Sequence, residues 1–225
     1  MKILFFNLNY ARNDFNGILD FIKNDFDILC FQEIKDNIEI AIDALLVNYL
    51  SQGVYKDIEG VGEFNLKIFV KNTFNNVSFE VYNFDETLVA PSVLVKFESG
   101  NSKWNILNFH GTPQPGDKLD NSERLLASQN LIEIMKKQPG RKIIGGDFNL
   151  LPETKSVKMF EAVGYRNLIT EFQIPTTRNE NAWKLYPENK QLFADQVFVS
   201  RDISVKEFQA ITNLLSDHLP LILEI

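Results

Sequence analysis

Apolar residues in this chain fall into short runs separated by polar segments rich in Asn, Asp, Gly and Pro. Ile3 to Phe6 and Ile28 to Phe31 read as buried strands with a short helix, Gly17 to Ile22, between them. Strand, helix, strand with short links is the pattern of a parallel pair. From Ile38 to Leu50 the positions Ile38, Ala41, Ile42, Leu45 and Leu46 share one face at helical spacing. Phe64 to Val70, Val77 to Phe84, Ser92 to Phe97 and Trp104 to Phe109 are strand-like, and the short turns between them favour antiparallel pairing.

Asp120 and Glu123 stand at capping-box spacing before the longest helical pattern, which carries Leu125, Leu126, Leu131, Ile132 and Met135 and stops at Pro139-Gly140. A strand at Lys142 to Ile144 follows, then a helix from Ser156 to Val163 closed by Gly164. Strands at Gln196 to Val199, Val205 to Ala210 and Leu219 to Ile225 complete the pattern. Without an internal repeat or a Gly/Ser/Pro-rich linker, a single domain over residues 1–225 is expected. Mixed strand order with helices spread along the chain predicts an α/β fold of two packed mixed sheets, each covered by helices on its outer face.

The residues at the ends of the apolar runs carry the chemistry. Asn7 and Asn9 follow the first run, Gln32 and Glu33 the second, His110 the run ending at Phe109, and Asp147 and Asn149 the pair Ile143-Ile144. Asp195 precedes Val197 to Val199, and Asp217-His218 precede Leu219 to Leu221. If these ends meet at one rim, it gathers the carboxylates of Glu33, Asp147, Asp195 and Asp217 with both histidines of the chain. Such carboxylates repel one another unless a cation or protons neutralise them. An oxygen-rich set with no thiolate cluster and no zinc-type His spacing suits a hard divalent cation, Mg2+ or Mn2+. Gly146-Asp147-Phe148-Asn149 puts a carboxylate and a carboxamide on one side of an extended chain, although the same residues also suit a β-turn. His218, with an Asp beside it and another to orient its ring, is the candidate for proton transfer.

Charge and cysteine content narrow the class. With 23 basic and 30 acidic residues the net charge is -7, so no broad positive surface grips long nucleic acid by counterion release. A bound divalent cation would reverse that field locally. The one cysteine, Cys30, lies inside an apolar run and reads as a buried thiol of a reducing compartment. The first apolar run is too short for a signal peptide and none reaches the length of a membrane span, so a cytoplasmic protein is expected.

Six segments in order resemble the endonuclease/exonuclease/phosphatase superfamily: Phe6-Asn7-Leu8-Asn9, Cys30-Phe31-Gln32-Glu33, Asn108-Phe109-His110, Gly146-Asp147-Phe148-Asn149, Asp195 to Ser200, and Ser216-Asp217-His218-Leu219-Pro220. They run from the first strand to the last. The resemblance implies a four-layer α/β sandwich and a Mg2+-dependent phosphoester hydrolase. By position, Glu33 would be the principal metal ligand, with Asn7 next to the metal and phosphate and Asp217 close to the cation. His218 would meet the scissile phosphate as base or electrophilic donor, its ring oriented by Asp195. Asp147 would orient or deprotonate the attacking water, or protonate the leaving oxygen. Asn149 and His110 would bind non-bridging phosphate oxygens.

Departures from the family pattern bear on the substrate. Asn9 stands where relatives that cleave abasic DNA carry an acid, and Thr176-Thr177-Arg178 where nuclease relatives show Thr-Trp. Arg178 offers a second phosphate contact or is a solvated loop arginine. The loop Gly111 to Gly116 lines a substrate groove or is simply a turn. Arg124, near a position often basic in relatives, reads as a helix-surface ion pair. Lys71, Arg178, Trp183, Lys184 and Tyr186 are the few candidates for a nucleic-acid groove. Phe74 and Leu88 are the only loop residues to suggest a lipid-facing surface. A monomer that cleaves phosphodiester bonds in DNA or RNA is expected. The alternatives are hydrolysis of a lipid head group or small phosphoester, and a binding protein that keeps the fold without the chemistry.

Overall fold

The computed structural model describes residues 1–58, 62–82, 90–184 and 187–225; Leu88, Tyr186 and the expected strand end at Asn83-Phe84 lie outside the described residues. In chain order the strands are β1 (Lys2–Asn7), β2 (Ile28–Gln32), β3 (Tyr49–Ile58), β4 (Gly62–Lys71), β5 (Asn75–Tyr82), β6 (Ser92–Ser99), β7 (Ser102–His110), β8 (Arg141–Asp147), β9 (Tyr165–Asn167), β10 (Asp195–Ser200), β11 (Glu207–Ala210) and β12 (Leu221–Glu224). The α-helices are α1 (Phe15–Ile22), α2 (Asp36–Leu45), α3 (Ser122–Lys136), α4 (Lys155–Ala162) and α5 (Leu168–Glu171). Two mixed six-stranded sheets form, in the orders β11-β12-β1-β2-β4-β3 and β5-β6-β7-β8-β10-β9.

Both faces of each central strand are buried, which is why those segments read as continuous apolar runs. Ile3, Phe5, Ile28 and Cys30 face Val93, Val95, Ile106, Ile143 and Val197 across the gap between the sheets. Alternate residues of the first sheet, Leu4, Phe6, Leu29 and Phe31, pack on Ile18 and Ile22 of α1 and Ile38 and Ile42 of α2. On the far side Leu94, Leu107, Ile144 and Phe198 pack on Leu131 and Met135 of α3 and Phe160 of α4. The result is a four-layer α/β sandwich. No helix among the described residues is long and apolar enough to cross a membrane.

Pairing directions bring the polar strand ends together. β1 runs parallel to β2 with Asn7 opposite Gln32, and β7 parallel to β8 with His110 opposite Asp147. β10 is antiparallel to β8, which sets Asp195 opposite Asp147, and β12 is antiparallel to β1, so its entry residues lie beside the exit of β1. Near this rim the sheets are pinned by polar contacts: Gln32 Nε2 donates to Asn108 Oδ1 at 2.5 Å, and Asn108 Nδ2 to the Phe31 and Lys67 carbonyls at 3.0 and 3.3 Å. Gly146 has φ +132°, and a Cβ there would stand 2.2 Å from the Phe109 carbonyl oxygen, so no other residue fits.

Several expectations are corrected. The helix starting near Ile38 ends at Leu45, and Tyr49 opens β3, whose strand pattern is faint because it is an edge strand with one face exposed. β4 and β5 do not pair with each other: β2 and β3 already occupy both edges of β4, so the short link carries the chain into the other sheet. Phe74 in that link faces the core, 4.6 Å from the Phe97 ring, and offers no lipid-facing surface. The cap of α3 is Asn121, which accepts from Arg124 N at 2.8 Å. Asp120 instead accepts from the Lys155 and Ser156 amides at 2.7 and 2.9 Å, capping α4. Cys30 is fully buried as expected, and burial pushes its thiol up.

Candidate active site

The polar ends form one connected cluster. Asn7 Nδ2, fully buried at the end of β1, donates to Asp147 Oδ2 at 2.9 Å and Glu33 Oε1 at 3.2 Å. Asn7 Oδ1 accepts from Asn9 N at 2.9 Å, which starts a turn with Asn9, Tyr10 and Ala11 at φ +46°, +54° and +56°. Glu33 is also left-handed at φ +51°, and its carbonyl accepts from Tyr10 N at 3.0 Å. Strained backbone on both sides of one carboxylate is the kind of cost that clusters at functional sites. The Asn9 side chain turns away toward Asn13, at 3.2 Å.

His218 is held from behind. Its Nδ1 meets Asp195 Oδ2 at 2.9 Å and Oδ1 at 3.1 Å, while Nε2 faces Asp147 Oδ2 at 3.7 Å and Asp217 Oδ2 at 4.0 Å. Burial alone would disfavour an imidazolium here, but Asp195, Asp217 and Asp147 outweigh it and push the ring's pKa from 6.5 up to about 9. Burial works against ionisation of Asp147 too, yet His218, His110 and Lys118 hold its carboxyl down at about 2. Its Oδ1 also accepts from Asn149 N at 2.9 Å, the turn bond that Gly-Asp-Phe-Asn suggests. Asp195 differs: burial pushes its carboxyl up. Burial acts the same way on Asp217, but His218 and Arg178 bring it below the usual range.

Arg178 arrives through a short antiparallel contact in which it lies opposite His218, and its guanidinium Nη2 donates to Asp217 Oδ2 at 3.0 Å. It is therefore no solvated loop arginine. His110 lies at 3.9 Å from Glu33 Oε1 and 3.8 Å from Asp147 Oδ2, edge-on to Phe64, with its buried Nδ1 unpartnered. The Asn149 side chain donates from Nδ2 to the Gly111 carbonyl at 3.0 Å, and its Oδ1 accepts from the Lys118 ammonium. Glu33, His110, Asp147, Asn149, Arg178, Asp217 and His218 line one depression of about 360 Å³, behind which Asn7 and Asp195 are buried.

Two basic residues play roles that the sequence did not reveal. Lys118 is buried, lines the same depression, and has its pKa pushed down by burial. Arg124 is not on the surface: its guanidinium donates to the Leu119, Pro115 and Thr112 carbonyls at 2.6, 2.7 and 3.2 Å, and Asp117 is 3.5 Å away. Tyr10 and Arg12 also line the pocket, with the Arg12 guanidinium 4.9 Å from the Tyr10 ring centre. Lys71 instead pairs with Asp25 and Asp27 at 2.6 and 2.9 Å, and Trp183 and Lys184 line a different depression.

The donor set fits a hard cation. Among the described residues Glu33, partly exposed to the depression, has no Lys or Arg within ion-pair distance, and Glu33, His110 and Asp147 present ligand atoms within 4.8 Å of one another. A divalent ion bound through oxygen would neutralise a carboxylate-rich pocket of this kind.

The sequence profile of the Endonuclease/Exonuclease/phosphatase family matches residues 4–218. No curated protein matches the chain. Among solved structures, an endonuclease/exonuclease/phosphatase from Bacteroides vulgatus superposes with TM-score 0.78 at 17% identity, covering 99% of this chain and 97% of that one. D. rerio TDP2 complexed with single strand DNA product gives 0.77 at 14% identity, covering 99% and 97%. A mannosyl-6-phosphatase from Bacteroides thetaiotaomicron gives 0.72 at 18% identity, covering 100% and 98%. At these identities the likeness concerns the fold.

Proposed function

The chain belongs to the endonuclease/exonuclease/phosphatase family, hydrolases of phosphoesters, and on that footing we propose that it is a divalent-cation-dependent phosphodiesterase acting on single-stranded nucleic acid. The observation that carries the reaction is the buried Asp195–His218 pair aimed at Asp147, with Nε2 at 3.7 Å from its carboxylate. Glu33 and Asp147, whose ligand atoms lie within 4.8 Å of one another, would hold Mg2+ or Mn2+, with Asn7 bonded to both and Asp217 lining the same depression. When bound, that ion supplies positive charge to the phosphate and leaving oxygen.

The protein's own groups divide the remaining work by their acidity. His218, with a pKa near 9, carries its proton at neutral pH, so its Nε2–H donates to a phosphoryl oxygen. Asp195 fixes the ring so that Nε2 points into the depression. Asp147, ionised down to about pH 2, accepts a hydrogen from the attacking water and orients it toward phosphorus. His110, which lines the same depression, would donate to a second non-bridging oxygen.

The substrate assignment rests on the pocket wall beside Glu33. There the Arg12 guanidinium lies on the Tyr10 ring at 4.9 Å from its centre, a planar cationic group beside which a base or phosphate of a strand can lie. The TDP2 likeness supports a nucleic-acid strand, whereas the mannosyl-6-phosphatase likeness makes a small phosphomonoester the competitor to test. The test is turnover with Mg2+ on single-stranded DNA, RNA, abasic duplex, sphingomyelin, a phosphoinositide and a sugar phosphate. Fastest cleavage of a single strand is expected. Faster release of phosphate from the sugar phosphate, or turnover only on a lipid, would overturn the assignment.

A further inference from the structure

The loop between β7 and α3, residues 111–121, delivers a lysine to the site by a construction that a solvent-facing side chain would not need. Lys118 is 7% exposed and sits at φ +60°, a conformation that a long side chain adopts only at a cost. Its backbone is fixed on both sides. The Lys118 carbonyl accepts from Leu151 N at 3.0 Å, and the Arg124 guanidinium holds the carbonyls of Leu119, Pro115 and Thr112 at 2.6, 2.7 and 3.2 Å. A buried arginine thus secures the strained turn that carries the lysine.

The ammonium is left short of partners. It has three donors, and the hydrogen bond it makes is to Asn149 Oδ1. Among the described residues no carboxylate lies within ion-pair distance of it. Asp147 acts on it only from beyond ion-pair distance, and a buried ammonium without a directly bonded anion is costly, so a negative group from outside would complete its partners. Arg178 lines the same depression, and although its Nη2 is taken by Asp217, its buried Nε has no partner. Two cations with unused buried donors therefore border one pocket, next to the Asp147–Asn149 turn.

We propose that Lys118 is a catalytic residue of this site, binding a non-bridging oxygen of the phosphoryl group directly, with Arg178 as the second arm of a two-cation clamp. The clamp rests on the phosphoester reading above and adds to it a source of positive charge independent of any metal ion. Asn149 then acts through Lys118: its carboxamide, tied to the Gly111 carbonyl, orients the ammonium.

Lys118→Met, compared with the unaltered protein, tests this in the presence of Mg2+. Loss of a direct oxyanion contact lowers kcat/KM about a hundredfold on whichever phosphoester the unaltered protein cleaves best. It weakens binding of inorganic phosphate, measured by calorimetry, at least about tenfold. A variant that keeps either value overturns the proposal. Should the variant fail to fold, or the unaltered protein cleave no phosphoester at all, the 15N resonance of the Lys118 ammonium in the unaltered protein decides. Saturable movement with inorganic phosphate but not with chloride supports the clamp, and no movement overturns it. Absence of turnover on every phosphoester, by contrast, defeats the phosphoester reading and leaves the clamp to be judged on phosphate alone.

Discussion

Replacing Asp195 with Asn keeps the shape beside His218 and removes the nearest of the carboxylates that hold its proton. The shift from 6.5 to about 9 corresponds to about 3 kcal/mol of preference for the imidazolium in the folded protein, of which Asp195 is the largest favourable source. In the Asp195→Asn variant the ring stays buried, so desolvation is no longer outweighed to the same extent and the titration midpoint falls below about 8, toward the unperturbed value. The chain has two histidines, which makes the measurement direct: 15N imidazole spectra of metal-free protein show two rings, and His110→Gln assigns them. Because the folded-state pKa lies above the unfolded one, the protonated ring stabilises the fold fully below about pH 6.5. That stabilisation is lost as pH rises through about 9. At pH 7 the variant's kcat falls on the order of a hundredfold or more, since the orientation of the ring and part of its charge are lost. A His218 midpoint near 6.5 in the unaltered protein, or one that Asp195→Asn leaves unmoved, would mean that Asp195 does not hold the proton on this ring.

Other consequences are readily measured. Adding Mg2+ to the metal-free protein lowers the His218 midpoint, because the ion neutralises carboxylates that raise it; an unchanged midpoint at saturating Mg2+ argues against a cation beside Asp147 or Asp217. Gly146→Ala forces a Cβ to within 2.2 Å of a carbonyl at φ +132° and destabilises the fold on the order of 3 kcal/mol, read as the denaturation midpoint. Asp120→Ala removes the carboxylate that caps α4 and costs about 1 kcal/mol without changing kcat. Arg124→Met frees three loop carbonyls and raises the phosphate dissociation constant even where melting changes little, because Lys118 is no longer held.

The parts of the fold legible from sequence were those where burial was complete. Strands β1, β2, β7, β8 and β10 bury both faces and end at the rim, so each reads as an apolar run followed or preceded by a polar residue. The gathering of Glu33, Asp147, Asp195, Asp217 and His218 was readable because polar groups at the ends of buried runs have few other reasons to be there. β3 was obscured because it continues directly from a helical pattern and presents one face to solvent, and β9 and α5, three and four residues long, are too short for a pattern to repeat. Asp120 had the correct spacing for one helix and the correct geometry for another, a distinction made only by tertiary contact. Lys118 and Arg124 escaped because lysine and arginine are ordinarily exposed. The only hint was a Pro- and Gly-rich loop directly after His110, a segment too rigid to be an incidental connection.

We propose that Glu33 anchors a divalent cation without which this pocket does not hydrolyse a phosphoester. The most direct measurement follows one preferred substrate through EDTA treatment and Mg2+ readdition, in the unaltered protein and in Glu33→Gln. Turnover in the unaltered protein vanishes with EDTA and returns with Mg2+, while Glu33→Gln, folded to the same melting temperature, stays at least about a hundredfold slower at any Mg2+ concentration. Turnover that survives EDTA, or a Glu33→Gln variant as fast as the unaltered protein, would mean that no cation at Glu33 is needed for hydrolysis.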